Sequence, residues 1–225
     1  ENCAYSAIVG GNCNHICASN GFIGGGIKNL ITSSAGETGT ANVVVGGECN
    51  CLGGSRSFIG GGIDNKLSGS RGVIVGGSTN SSIDNSNDDF VIVGGLCNTN
   101  CADFTFIGAG CQNTVTANYA TIVGGSKNTG SGAYSGILGG TNNYISHARS
   151  YIIGSNICST AAYTTFVNNL NISGSITHGN AADGFIILTH VSESLNFADD
   201  TAAAAGGVPL GGLYRSGNVI SIRIE

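Results

Sequence analysis

The chain has 225 residues, with 39 Gly, 25 Asn, a single Pro, no Met or Trp, and only 9% charged residues. Poor helix formers dominate, which excludes a helical bundle or a doubly wound α/β fold, while 41% hydrophobic content excludes a disordered linker and the lone Pro excludes collagen. A net charge of −5 with eight Lys plus Arg gives no footing for nucleic acid, and no apolar run reaches the roughly 18 residues of a membrane helix.

From Glu1 onward the sequence repeats itself. Two apolar residues followed by Gly recur ten times, from Ile8-Val9-Gly10 and Phe22-Ile23-Gly24 to Ile137-Leu138-Gly139 and Ile152-Ile153-Gly154. The marker glycines stand 14, 22, 14, 16, 18, 14, 16, 15 and 15 residues apart. An Asn follows nine of them: Asn14, Asn29, Asn50, Asn65, Asn80, Asn98, Asn113, Asn128 and Asn143. A period near 15 fits one rung of a parallel β-solenoid, two short strands and two tight turns, with Gly and Asn expected in the turns because both tolerate positive φ. The residue before each marker glycine is Val, Ile or Leu, which predicts an aliphatic ladder at a strand spacing of about 4.8 Å. Ten rungs make a rod on the order of 50 Å long. Consecutive strand residues point to opposite faces, so an apolar pair fills the interior and also lays an apolar stripe outside. Self-association is the simplest way to cover that stripe.

Two rungs carry insertions, Ser33–Thr40 and Ser81–Asp89, which predict surface loops. The repeats end near Cys158, residues 159–183 read as an extended neck, and 184–225 form a small β-rich cap. Within the cap, Phe185–Val191 reads as a strand and Ala198–Ala205 as a short helix ended by Gly206-Gly207. Gly217-Asn218 reads as a turn before an alternating strand. The expected fold is all-β: a β-roll of about ten rungs over 1–158, a neck, and a cap. Glu1 and the absence of Met point to a processed chain or a fragment.

Nine cysteines occur without a CxxC motif. Counted from the marker glycines, Cys3 and Cys17 fall at one position on adjacent rungs, as do Cys97 and Cys111. Stacked equivalents lie within disulfide reach, so rung-to-rung disulfides are expected beside the alternative of reduced cysteines. No zinc-like set converges, and no metal or organic cofactor is expected. Asp84, Asn85, Asn87, Asp88 and Asp89 share one inserted loop whose oxygens suit Ca²⁺, although the spacing departs from an EF-hand loop. The runs Gly24-Gly25-Gly26 and Gly60-Gly61-Gly62 lack the GK[ST] of a phosphate loop, and no GxSxG or HExxH occurs, so the chain reads as non-enzymatic. Sequons stand at Asn80 and Asn171.

The stretches Ala4-Tyr5-Ser6-Ala7-Ile8-Val9-Gly10-Gly11-Asn12 and Ala117-Asn118-Tyr119-Ala120-Thr121-Ile122-Val123-Gly124-Gly125 resemble head repeats of trimeric autotransporter adhesins. That resemblance implies a homotrimer of parallel β-rolls. The C-terminal stretch from Ala202 to Asn218, containing Gly207-Val208-Pro209-Leu210-Gly211-Gly212-Leu213-Tyr214-Arg215, is similar to endings of phage and large-virus fibre and structural proteins. It implies a virion-surface or extracellular protein that attaches to a host glycan or protein. The alternative is a filament subunit without a specific ligand. Specificity is expected where the repeat breaks: at Glu37 and Thr38 in the first loop and Asp84, Asn85, Asn87, Asp88 and Asp89 in the second. Tyr214 and Arg215 of the cap are the other location.

Overall fold

The structure, a computed structural model, describes residues 4–32, 41–83, 89–170, 198–208, 213–216 and 219–222. The chain divides into two compact units, Glu1–Asn171 and Ile172–Glu225.

The first unit is a parallel β-solenoid. Successive rungs contribute one short strand each to an eleven-stranded sheet, and the first nine also one each to a nine-stranded sheet. The long sheet runs from β1 (Ala7–Ile8) and β3 (Phe22–Ile23) through to β19 (Tyr151–Ile153) and β20 (Thr165–Val167), and every pairing is to the next rung. The short sheet runs from β2 (His15–Cys17) to β18 (Tyr144–Ile145). Between them, single parallel bridges link Asn12, Ile27, Glu48, Ile63, Ser78, Leu96, Cys111, Ser126 and Thr141 in turn.

The core sits between the two sheets, and its register corrects the one that the glycines suggest. Phe22 pairs with Val43 and Ile23 with Val44, so Gly24 matches Val45 and not the marker Gly46. The interior column is Ile23, Val44, Ile59, Ile74, Ile92, Ile107, Ile122, Ile137 and Ile152, all buried. In Phe-Ile-Gly rungs that residue immediately precedes Gly; in Val-Val-Gly rungs it is one place earlier, and Val45, Val75 and Val123 point outward, about half exposed. The residue before the marker glycine therefore does not form one ladder.

The true metronome is the asparagine. Asn14, Asn29, Asn50, Asn65, Asn80, Asn98, Asn113, Asn128 and Asn143 step by 15 except across the two insertions. Expected in turns, they are instead interior: all but the terminal Asn14 are buried. The turn is made by the residue before each, Cys13, Lys28, Cys49, Asp64, Thr79, Cys97, Gln112, Lys127 and Asn142, at φ between 54° and 60°. Asn65 shows the wiring. Its Nδ2 donates to Gly61 O and to Gly77 O on the next rung, both at 3.0 Å, and to Asn50 Oδ1 at 3.1 Å. Its Oδ1 accepts from the Asn80 backbone N–H at 3.1 Å. An unpaired buried amide is costly, so satisfying every member in one repeating pattern fixes the rung register. Ile157 ends the ladder, its N–H donating to Asn143 Oδ1 at 3.0 Å. Beside each Asn stands a glycine such as Gly62, at φ +92°, where a Cβ would collide with the Gly77 carbonyl.

Stacking does not stop at Cys158. Tyr151 pairs with Thr165, Ile152 with Phe166 and Ile153 with Val167, so part of the expected neck is solenoid. The second unit holds the helix α1 (Asp200–Ala205), capped by Asp199 Oδ1 accepting from Ala202 N at 2.8 Å, and an antiparallel hairpin of β21 (Leu213–Ser216) and β22 (Val219–Ile222). Both agree with the sequence reading. The strand expected at Phe185–Val191 and most of the neck lie outside the described residues. Among the described residues, no helix is long and apolar enough to cross a membrane.

Candidate functional site

The outer face of the long sheet follows from the register. Its two outward columns hold Ala, Val, Phe, Leu, Ile, Tyr and Gly, interrupted only by Thr121 and Thr165, with no charge over eleven strands. The columns compensate one another in size. Where the first carries Phe22, Phe58 or Phe106, the second carries Gly24, Gly60 or Gly108; a Cβ on Gly60 would lie 3.2 Å from the Phe58 ring. Where the first carries Val or Thr, the second carries Val45, Val75, Val93 or Val123. The result is an even apolar surface, with Val45 49%, Val123 51% and Leu138 51% exposed.

A second feature is a corner between the short sheet and the long sheet. Nine residues before each ladder asparagine, the chain turns through a residue with φ between 42° and 62°: Tyr5, Asn20, Ala41, Arg56, Arg71, Asp89, Phe104, Tyr119 and Tyr134. Arg149 and Tyr163 continue the column. From Arg71 to Asp89, and again from Phe104 to Tyr163, the side chains of this column meet from rung to rung outside the solenoid. Arg71 donates from Nε to Asp89 Oδ1 at 2.7 Å and from Nη2 to Oδ2 at 2.8 Å, a two-pronged pair that holds the Asp89 carboxyl below its usual range. Phe104, Tyr119 and Tyr134 stack face to face, with centroids 4.9 and 4.6 Å apart. The Arg149 guanidinium lies 5.1 Å from the Tyr134 ring centre and 5.4 Å from that of Tyr163, and donates from Nη1 to the Tyr163 hydroxyl at 3.0 Å. The sequence reading missed this column; counting back nine from each asparagine finds it.

Glu37, Thr38, Asp84, Asn85, Asn87 and Asp88 lie outside the described residues. Asp89 is a corner residue whose carboxylate is engaged by Arg71. Tyr214 and Arg215 lie on β21, opposite Ser221 and Ile220. Asn171 is outside the described residues, while Asn80 is buried in the ladder with its Nδ2 donating to Gly76 and Gly95, so a glycan there is incompatible with the folded rung. No group of three metal-capable side chains is present among the described residues.

The cysteines also change place. Cys97 is the turn residue directly before Asn98, equivalent to Gln112 on the next rung, whereas Cys111 bridges to Leu96, so the two are not stacked equivalents. The slip of one residue in Phe-Ile-Gly rungs created the false match. Cys13, Cys17, Cys49, Cys51, Cys97, Cys111 and Cys158 carry free thiols, and Cys3 is outside the described residues. None of these thiols is in the core. Cys17 Sγ meets His15 Nε2 at 2.7 Å, and burial pushes the Cys51 thiol up, with Lys66 pulling it partly back. No family model matches the chain, and no curated protein matches it in sequence.

Proposed function

We propose that the chain is a non-enzymatic fibre or surface-spike protein of a virion, working as a homotrimer and attaching to a glycan or protein on the host surface. The observation that carries this reading is the uncharged outer face of the long sheet. With a rung spacing of about 4.8 Å and about three residues of width, it spans on the order of 500 Å² per chain, in the upper part of the range for the largest patch a typical monomer exposes. The two-column size matching keeps that face even, as close packing against identical copies requires. The resemblance of the repeats to trimeric adhesin heads supports three copies, and that of the C-terminal stretch to viral fibre endings supports a virion. The corner column flanks this face, two residues before its first outward column, and its exposed side chains are left to meet a host surface.

A test is to raise antibodies to the chain and locate it on purified particles by immunogold microscopy. Label at the particle surface, with antibody blocking adsorption to host cells, is expected. Label confined to cell-associated filaments, with adsorption unaffected, favours the second reading, a structural filament subunit without a specific ligand.

A further inference from the structure

Resting on the attachment reading, we propose that Arg149, held between Tyr134 and Tyr163, is a binding site for carboxylate-bearing saccharides. Between Phe104 and Ala182 the sequence contains no Asp or Glu, and its only Lys or Arg residues are Lys127 and Arg149. Arg149 thus has no acid on its own or the neighbouring rungs, and it makes no ion pair among the described residues. Farther along the same corner, Arg71 is matched to Asp89 by two parallel hydrogen bonds. The corner therefore places an arginine within reach of a carboxylate, and at Arg149 the neighbouring rungs supply none.

The site is preorganised in ways that an ordinary surface arginine is not. Two tyrosine rings flank the cation, and a hydrogen bond to the Tyr163 hydroxyl fixes one of five N–H donors. Both restrict the rotamers that binding would otherwise have to freeze. The rings hold the exposed guanidinium beside them at 5.1 and 5.4 Å, so it is positioned before an anion arrives. Donors not used by Tyr163 lie in the guanidinium plane, the geometry that a planar carboxylate accepts in two prongs. Tyr163 is 75% exposed, so its hydroxyl also stands within reach of a sugar beside the acid. Arg56 occupies the same corner between Ala41 and Arg71, with no ring on either side, and serves as an internal control.

The experiment titrates the full chain with a galacturonate trisaccharide and with sialyllactose, using the galacturonate methyl ester and lactose as neutral counterparts, by calorimetry and saturation-transfer NMR. Both acids are expected to bind and neither neutral sugar. Arg149→Met should weaken binding at least tenfold; Arg149→Lys should weaken it nearly as much, because the charge remains but the fork is lost. Arg56→Met should leave it unchanged. Both positions are exposed corner sites, and unchanged circular dichroism and solution mass verify the fold of the three variants. Absence of binding to the acids, undiminished binding by Arg149→Met, or an equal loss in Arg56→Met would overturn the proposal, the last by showing diffuse charge attraction. Host-cell adsorption by the same variants separates the two readings: adsorption that survives Arg149→Met while acid binding is absent removes this site and leaves attachment standing.

Discussion

Each ladder asparagine engages backbone groups of its own and the next rung with both ends of its carboxamide. Replacing Asn65 with Leu removes the bonds to the Gly61 carbonyl and from the Asn80 N–H, and one of the two bonds to the Gly77 carbonyl, which keeps the Ile63 N–H. At about 1–3 kcal/mol for each unsatisfied group, Asn65→Leu should destabilise the solenoid by about 2 kcal/mol or more, read as a lower denaturation midpoint in guanidinium. Two partly buried sites give milder tests. The Asp89 carboxyl is held low chiefly by its hydrogen bonds from Arg71, so the stabilisation it contributes is present above the unfolded carboxylate value and lost as pH falls through the folded one, below about pH 4. The Asp89 ¹³Cγ titration midpoint should lie below those of other aspartates and return to the usual range in Arg71→Leu. At Cys51, burial disfavours the thiolate, so alkylation at neutral pH should be slower than at the exposed Cys13 and Cys158, resolved by peptide mass mapping. The asparagine spacing stands in plain view in the sequence, but composition alone assigns Asn to turns. Only a register in which the preceding residue takes positive φ moves its side chain inside.

At the scale of the rung, volume is conserved across neighbours instead of position by position. Phe90 fills interior space where most rungs carry Ser, Ala, Gly or Thr, and the adjoining rung answers with Gly72, on which a Cβ would run into the Phe90 ring; Ser82 likewise replaces the Leu of Leu67 and Leu52 in the facing column. Gly72→Ala should therefore cost about 1–3 kcal/mol by overpacking, and Phe90→Ala about 3–5 by leaving a cavity. The double variant should lose less than the two single losses added together, which a denaturation cycle measures. The same compensation hid the register from sequence reading. Phe-Ile-Gly and Val-Val-Gly look like one motif in one phase, yet Phe over Gly and Val beside Val are two solutions for the same outer surface, offset by one residue. That offset also produced the apparent match of Cys97 with Cys111. The corner column was invisible for a related reason: Arg, Asp, Phe and Tyr share no chemistry, only a position, and that position emerges when the count starts from the asparagines.

At the scale of the molecule, the period, the parallel stack and the short helix with its hairpin all follow from the sequence, because glycine spacing, alternation and capping are local signals. What the solenoid does with its outer face depends on a partner, and a single chain's sequence encodes that only as an apolar column without charge. If three copies bury this face, a charge placed in its middle should break the assembly without touching the core. Val75 and Val93 are suitable, being 48% and 42% exposed and outward on adjacent rungs. Sedimentation equilibrium of the full chain and of Val75→Lys/Val93→Lys tests the account most directly. The wild type should sediment at three times the 22.4 kDa chain mass down to micromolar concentration, and the double variant at lower mass with an unchanged β-sheet spectrum. A wild-type chain that sediments as a monomer with its apolar face in water, or a variant that stays trimeric, would contradict it.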